Sequence, residues 1–248
     1  MSVSFDRAAS YYDETRSLPA EAFDQILTAL ADRMRPAGAA LEIGAGTGRY
    51  LVPLRRAGVR MVGVDLSRPM LARLREKDST APVVLGDATA LPFSDGAFGS
   101  ALAVHVLHLI PTWRQALAEL ARVVKRRGRL FVDAGGGDNP VEQRFFAEAG
   151  AKPEHPGLRR GDDLDHEMGL LGADREPKVE VPVTHELRVV DYIEQLEAGL
   201  YSRCWTMDAE TLRRAGAATR DWAAEALGDI EAPIRVERTV TINVYRLG

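Results

Sequence analysis

The 248-residue chain has a single cysteine, Cys204, so no intrachain disulfide can form and a reducing compartment fits. It has no apolar run near the roughly 20 residues that a bilayer-spanning helix needs, so no membrane insertion is expected. The opening segment MSVSFDRAASYYDETR is charged throughout and has no apolar centre, unlike a secretory signal. A cytoplasmic location is therefore expected. There is no excess of positive charge either. The net charge is −4, which argues against a polyanion such as nucleic acid as partner. The local group Lys125, Arg126 and Arg127 reads as a solvated loop. No internal repeat or low-complexity tract breaks a composition of 46% hydrophobic and 27% charged residues, ordinary for a globular protein. The length suits one large α/β domain, or a core with a sizeable insertion.

Strand-like and helix-like segments alternate through the first half. Apolar residues at helical spacing from Ala22 to Leu30 predict a helix that Pro36 and Gly38 stop. AALEIG, VRMVGVDLS, PVVLGD, FGSALAVH and GRLFVDAG predict five strands. Between them GRYLVPLRRAG, RPMLARLREK and TWRQALAELARVV predict helices, the second capped by Ser67. The strands are continuous apolar runs, the pattern of a parallel sheet covered on both faces. Right-handed crossovers then give a doubly wound, Rossmann-like α/β sheet.

Glycine is concentrated in LEIGAGTGRY, residues 41–50, where a strand meets a helix. A phosphate loop would need Lys after its last glycine, and Thr47 follows Gly46. A dinucleotide fingerprint would need a third glycine where Arg49 stands. What remains is GxGxG placed after an acidic residue, Glu42. Glycines there let a ligand lie against bare backbone. The N-terminus of a helix expected directly after Gly48 would favour negative charge such as a carboxylate.

LEIGAGTG, VGVDLSRPML, GDATALPFSDGAF and ARVVKRRGRLFV stand in the order and spacing of class I S-adenosylmethionine-dependent methyltransferases, which they resemble. The resemblance is to the small-molecule group around the ubiquinone/menaquinone-type enzymes. FDRAASYYD also resembles that group's N-terminal stretch, so about residues 5–135 are covered. The resemblance implies a seven-stranded methyltransferase sheet whose last strand, RTVTINVYRL, runs antiparallel beside strand five. It implies S-adenosyl-L-methionine as cofactor and methyl transfer to a small-molecule acceptor. Transfer of an aminopropyl or carboxymethyl group from the same pocket, or a non-catalytic cofactor-binding protein, are the alternatives.

By this resemblance Glu42, Gly44, Ala45, Gly46, Thr47 and Gly48 form the cofactor loop, and Asp65 accepts both ribose hydroxyls. For Asp65 the competing reading is a cap of the following helix. Asp87 would accept from the adenine amino group beside the Ala88 N–H, or else simply form an Asx turn. Leu66 and Met70 would cover the adenine, or be plain core. Tyr12, with Tyr11 second, offers an aromatic face to the sulfonium, or packs the N-terminal segment. Arg16 would meet the methionine carboxylate, or lie on the surface. His105, at the end of strand four, is expected to contact the cofactor and is the candidate general base; His108 reads as packed.

The departures from the family lie at KRRG, at Gly99, where relatives often carry Asp, and in the absence of a [DNS]-P-P-[FY] segment after strand four. The last disfavours nucleic-acid bases as substrates. Residues 1–137 are expected to be the cofactor-binding core, 138–235 a helical substrate cap with one strand, and 236–248 the closing strand. GDDLDHE, residues 161–167, reads as a solvated turn and not a metal site, so no metal is expected. Tyr201, Arg203, Cys204 and Trp205 suit either a substrate lid or internal packing of the cap.

Overall fold

In the computed structural model the chain is described over residues 5–15, 18–133, 139–151, 156–159 and 162–248. It divides into two compact units. The first comprises Met1–Gly135, Pro156–Pro182 and Thr239–Gly248, the second Gly136–His155 and Val183–Arg238.

In chain order the elements begin with α1 (Tyr12–Thr15), α2 (Ala20–Met34), β1 (Ala39–Ile43), α3 (Leu51–Arg56), β2 (Arg60–Asp65) and α4 (Arg68–Lys77). There follow β3 (Val83–Leu85), β4 (Phe98–Ala103), α5 (Trp113–Val123), β5 (Val124–Asp133), α6 (Pro140–Glu148) and α7 (Leu164–Leu170). The chain ends with β6 (Ala173–Arg188), α8 (Val189–Glu197), α9 (Ala209–Leu227) and β7 (Pro233–Leu247).

The sheet order is β3-β2-β1-β4-β5-β7-β6. β3, β2, β1, β4 and β5 pair in parallel, and β7 pairs antiparallel with β5 through Leu130–Tyr245 and Val132–Asn243. The strand read inside the appendage is the sheet's edge, β6, beside β7. Chain order reverses between β1 and β4, and the carboxyl ends flanking such a switch point are where open α/β sheets bind ligands. Leu41, Ile43, Leu102, Phe131 and Val132 are fully buried, which explains why the central strands are written as uninterrupted apolar runs.

Helix positions follow from apolar spacing and caps. α5 buries Trp113, Ala116, Leu117, Leu120 and Val123, a stripe at intervals of three and four. The Ser67 hydroxyl accepts the Met70 N–H at 3.2 Å and starts α4. α5 also shapes the turn after β3: Glu119 accepts the Leu91 N–H at 2.7 Å, and Arg122 donates to the Phe93 carbonyl at 2.8 Å.

Three local expectations are corrected. β4 stops at Ala103, two residues short, because the backbone reverses at His105, whose φ is 55°. KRRG is a bulge within β5 and not a turn before it: Phe98 pairs with Val124 but Ser100 already with Arg129. GDDLDHE, read as a solvated turn, instead carries the start of a capped helix, α7, with Asp163 accepting the His166 N–H at 2.9 Å.

In the second unit α6, α8 and α9 bury Phe145, Phe146, Leu196, Cys204 and Leu212 together, with Val141, Val189, Ile193 and Ala223 in a neighbouring cluster. Trp205 donates to the Gly199 carbonyl at 3.0 Å, Tyr201 donates to Gln195 at 2.6 Å, and Arg203 pairs with Glu142. These groups are engaged in packing the helical unit.

Candidate active site

At the carboxyl ends of β1 to β4 the first unit holds an open cleft. Nine sequence-predicted residues line it: Tyr12, Gly44, Gly46, Asp65, Leu66, Met70, Asp87, Ala88 and His105. Arg16 lies outside the described residues. Glu42, Ala45, Thr47 and Gly48 stand behind the lining. Phe5, Val64, Gly86, Val106, Leu109 and Ile110 complete the wall and were not singled out from the sequence.

Gly46 and Gly48 do different work. At Gly46 (φ 54°) an added Cβ would find no atom nearer than 3.8 Å, so bareness there serves the open cleft. At Gly48 a Cβ would lie 2.7 Å from Leu74 Cγ and 2.8 Å from Val52 Cγ2, so that glycine lets α3 and α4 approach. α3 itself starts only at Leu51 and runs six residues, so the helix N-terminus expected directly after Gly48 gives way to the loop's own N–H groups.

Asp65 ends β2, and its carboxylate is held from both sides. Oδ2 accepts the Gly46 N–H at 2.8 Å and Oδ1 the Ser67 N–H at 2.8 Å. The helix cap is Ser67 itself, so Asp65 is not the cap. Burial pushes the Asp65 carboxyl above its ordinary range, against the pull of those N–H donors. Each oxygen keeps a lone pair beyond its backbone bond, the provision needed to accept from a diol. Asp87 Oδ1 accepts the N–H and hydroxyl of Thr89 at 2.9 and 2.8 Å, so it forms the Asx turn and still borders the cleft.

Glu42 is 3% exposed and lies beneath the loop, not in the cleft wall. Its Oε2 has no hydrogen-bond partner, and burial first, then Asp65, pushes the carboxyl well up. The Leu51 N–H opposes this shift. Thr47 is buried and donates to Asp13 at 2.6 Å, tying α1 to the loop. Tyr12, on α1, meets Phe5 edge to face with centroids 5.8 Å apart.

His105 brings in a residue that sequence reasoning missed. Its Nδ1 lies 3.2 Å from Asp133 Oδ2, at the tip of β5. Burial pushes the Asp133 carboxyl up to about 6, and the N–H groups of His105 and Asp133 itself oppose that shift. The available signal was an apolar strand ending in Asp, the same signature as at Asp65.

Among the described residues no group of three or more His, Cys, Asp or Glu could hold a metal ion. In residues 162–167 Asp165 accepts from the Tyr245 hydroxyl at 2.6 Å and Glu167 pairs with Arg114 at 2.6 Å. No described helix is long and apolar enough to cross a membrane.

The donor set suits a nucleoside bearing a cation. A fixed carboxylate could accept from a diol, the apolar Leu66 and Met70 could cover a flat base, and the Tyr12 ring lines the same cleft. The sheet order is that of the methyltransferase fold. Residues 41–132 match the family described as Methyltransferase domain, and the chain carries such a domain there. Demethylmenaquinone methyltransferase of Streptomyces avermitilis is 35% identical over 131 residues, 52% of this chain and 57% of that protein. Malonyl-[acyl-carrier protein] O-methyltransferase of Salmonella typhimurium is 33% identical over 128 residues, 52% and 50% of the respective chains. The chain thus spans about half the length of the curated relatives it matches. The crystal structure of a SAM-dependent methyltransferase from Thermotoga maritima superposes with TM-score 0.58 at 20% identity, covering 98% of this chain and 97% of that one.

Proposed function

We propose that the cleft binds S-adenosylmethionine and that the protein transfers its methyl group to a small-molecule acceptor by in-line displacement. The observation that carries this reading is Asp65, pinned between the Gly46 and Ser67 N–H groups with acceptor capacity turned to the cleft. Asp65 would hold the ribose, the Asp87 turn with Ala88, Leu66 and Met70 the adenine, and Tyr12 would face the sulfonium. Arg16 would meet the methionine carboxylate. The bound cofactor supplies an already activated methyl group. The chain's own part is therefore positioning and exclusion of water, which in favourable cases contributes about 7–11 kcal/mol.

The two relatives named above act on a quinone precursor and on a carrier-bound acyl group by name, so the acceptor is not carried over from either. Acceptor choice belongs, in this proposal, to residues 138–235, with 1–137 and 236–248 holding the cofactor. A cytoplasmic small molecule, not nucleic acid, fits the charge balance of −4. Calorimetric titration with S-adenosylhomocysteine tests the reading. A 1:1 complex is expected, and absence of binding would overturn it. Mass spectrometry of the spent cofactor then separates methyl transfer from aminopropyl or carboxymethyl transfer.

A further inference from the structure

His105 is one of two described non-glycine residues with positive φ, at 55°. That backbone is costly for a side chain with a Cβ, about 1–3 kcal/mol, and is kept only where the surroundings impose it. Here a single carboxylate contacts both the backbone and the ring of the residue. Asp133 accepts the His105 backbone N–H and also faces the ring, with Oδ2 3.2 Å from Nδ1. The carboxylate is 11% exposed and the imidazole 40%, so one end of the pair is fixed in the protein and the other opens on the cleft.

We infer that Asp133 is a positioning residue that holds His105 as the Nδ1–H tautomer, with Nε2 turned to the cleft as proton acceptor. The substrate class follows: an acceptor that arrives still carrying a proton on the attacked atom, such as a hydroxyl, an amine or an acidic C–H, and not a carboxylate. This rests on the methyl-transfer reading above. The proton leaves the attacked atom for Nε2 as the new bond to the methyl carbon forms and the carbon–sulfur bond breaks. The sulfonium charge disappears, the imidazole gains one, and the Asp133 carboxylate stands against the new charge. A carboxylate acceptor would have no proton to give, and the pair would have no work.

The groups around the pair bear on its titration. Asp65, Asp87 and Tyr12 line the same cleft. Tyr50, pushed up to about 12 mainly by burial, lies within electrostatic reach of Asp133, Glu42, Arg49 and Tyr12.

The test uses the whole chain labelled with ¹⁵N-histidine, His105 being assigned by its absence from the His105→Gln spectrum. The wild type is expected to show Nδ1 protonated and Nε2 bare above the imidazole's titration. In Asp133→Asn the amide NH₂ donates to Nδ1, and the proton is expected to move to Nε2. Wild-type His105 found as the Nε2–H tautomer, or a tautomer unmoved by Asp133→Asn, would overturn the proposal; the first of these needs no variant to fold. S-adenosylhomocysteine titration on the same samples separates the two readings, since failure to bind sinks the cofactor assignment whatever the tautomer. Against a panel of acceptors, His105→Gln is expected to lower kcat by about 10²-fold or more. Turnover confined to carboxylate acceptors would overturn the substrate class.

Discussion

Asp133→Asn exchanges a buried charge for a neutral side chain of the same shape, and its effect on stability should depend on pH in a defined window. The folded-state carboxyl titrates at about 6, against 3.8 for an unburied aspartate. A carboxyl raised on folding is stabilising, relative to its ionised form, only while protonated. Wild-type stability therefore falls as pH rises from about 4 to about 6 and is flat beyond. The difference of about two pH units corresponds to about 3 kcal/mol, at 1.36 kcal/mol per unit. No discount for solvent screening applies, because Asp133 is only 8% exposed. The Asn variant lacks this slope, since its oxygen still accepts the His105 N–H and nothing ionises.

The gap between variant and wild type should consequently open in favour of the variant by about 3 kcal/mol between pH 4 and pH 7. Native-state hydrogen exchange of the Leu130, Phe131 and Val132 amides, corrected for intrinsic rates, reads it in the unit that contains the pair. A gap constant over that range would refute the reasoning, because Asp133 would then not be a carboxylate held ionised against its surroundings.

Asp65→Asn puts an NH₂ against either the Gly46 or the Ser67 N–H and removes an acceptor from the cleft, so S-adenosylhomocysteine should bind about 10- to 100-fold more weakly by calorimetry; an unchanged Kd would dismiss the ribose role. Gly46→Ala should fold, at a cost of about 1–2 kcal/mol from its φ, yet lose the cofactor, whereas Gly48→Ala should lower Tm first because its Cβ meets Leu74 at 2.7 Å. Equal effects of the two on Tm would contradict the division of labour in the loop. Gly99→Ala should cost about 3 kcal/mol or more, since its Cβ would stand 1.8 Å from the Ala37 carbonyl oxygen, and a Tm within a degree of wild type would show that contact to be wrong.

What was legible from the sequence is what repeats along it. Continuous apolar runs gave the parallel strands, and the resemblance carried by four ordered motifs gave Asp65 and Asp87 at or just after the ends of the neighbouring β2 and β3. The family resemblance placed RTVTINVYRL antiparallel beside β5, as its pairing through residues 242–246 bears out. What stayed hidden depends on contacts between distant segments. Gly99 read as a missing aspartate, whereas the chain after α2 passes so close that no side chain fits there. Val106, Leu109 and Ile110 wall the cleft from a 3-10 turn that has no periodicity of its own to announce it. Asp133 ended an apolar run in plain view, but its meaning needs the partner 28 positions earlier that faces it across the β4–β5 pair.

The acidic side chains of this site share one construction. Asp65, Asp87 and Asp133 stand at or just after the carboxyl ends of β2, β3 and β5, and each has a carboxylate oxygen committed to a backbone N–H. Strand ends of a parallel sheet leave N–H groups that no ladder satisfies, so an acidic side chain there gains its fixed orientation from main chain already in place. Orientation settled during folding is not lost again when a ligand binds, and the acceptors meet hydroxyl, amine or imidazole without reorganising. The same construction explains why burial raises Asp65 and Asp133 together while their N–H donors pull the other way: carboxylates dry enough to discriminate are dry enough to resist ionisation.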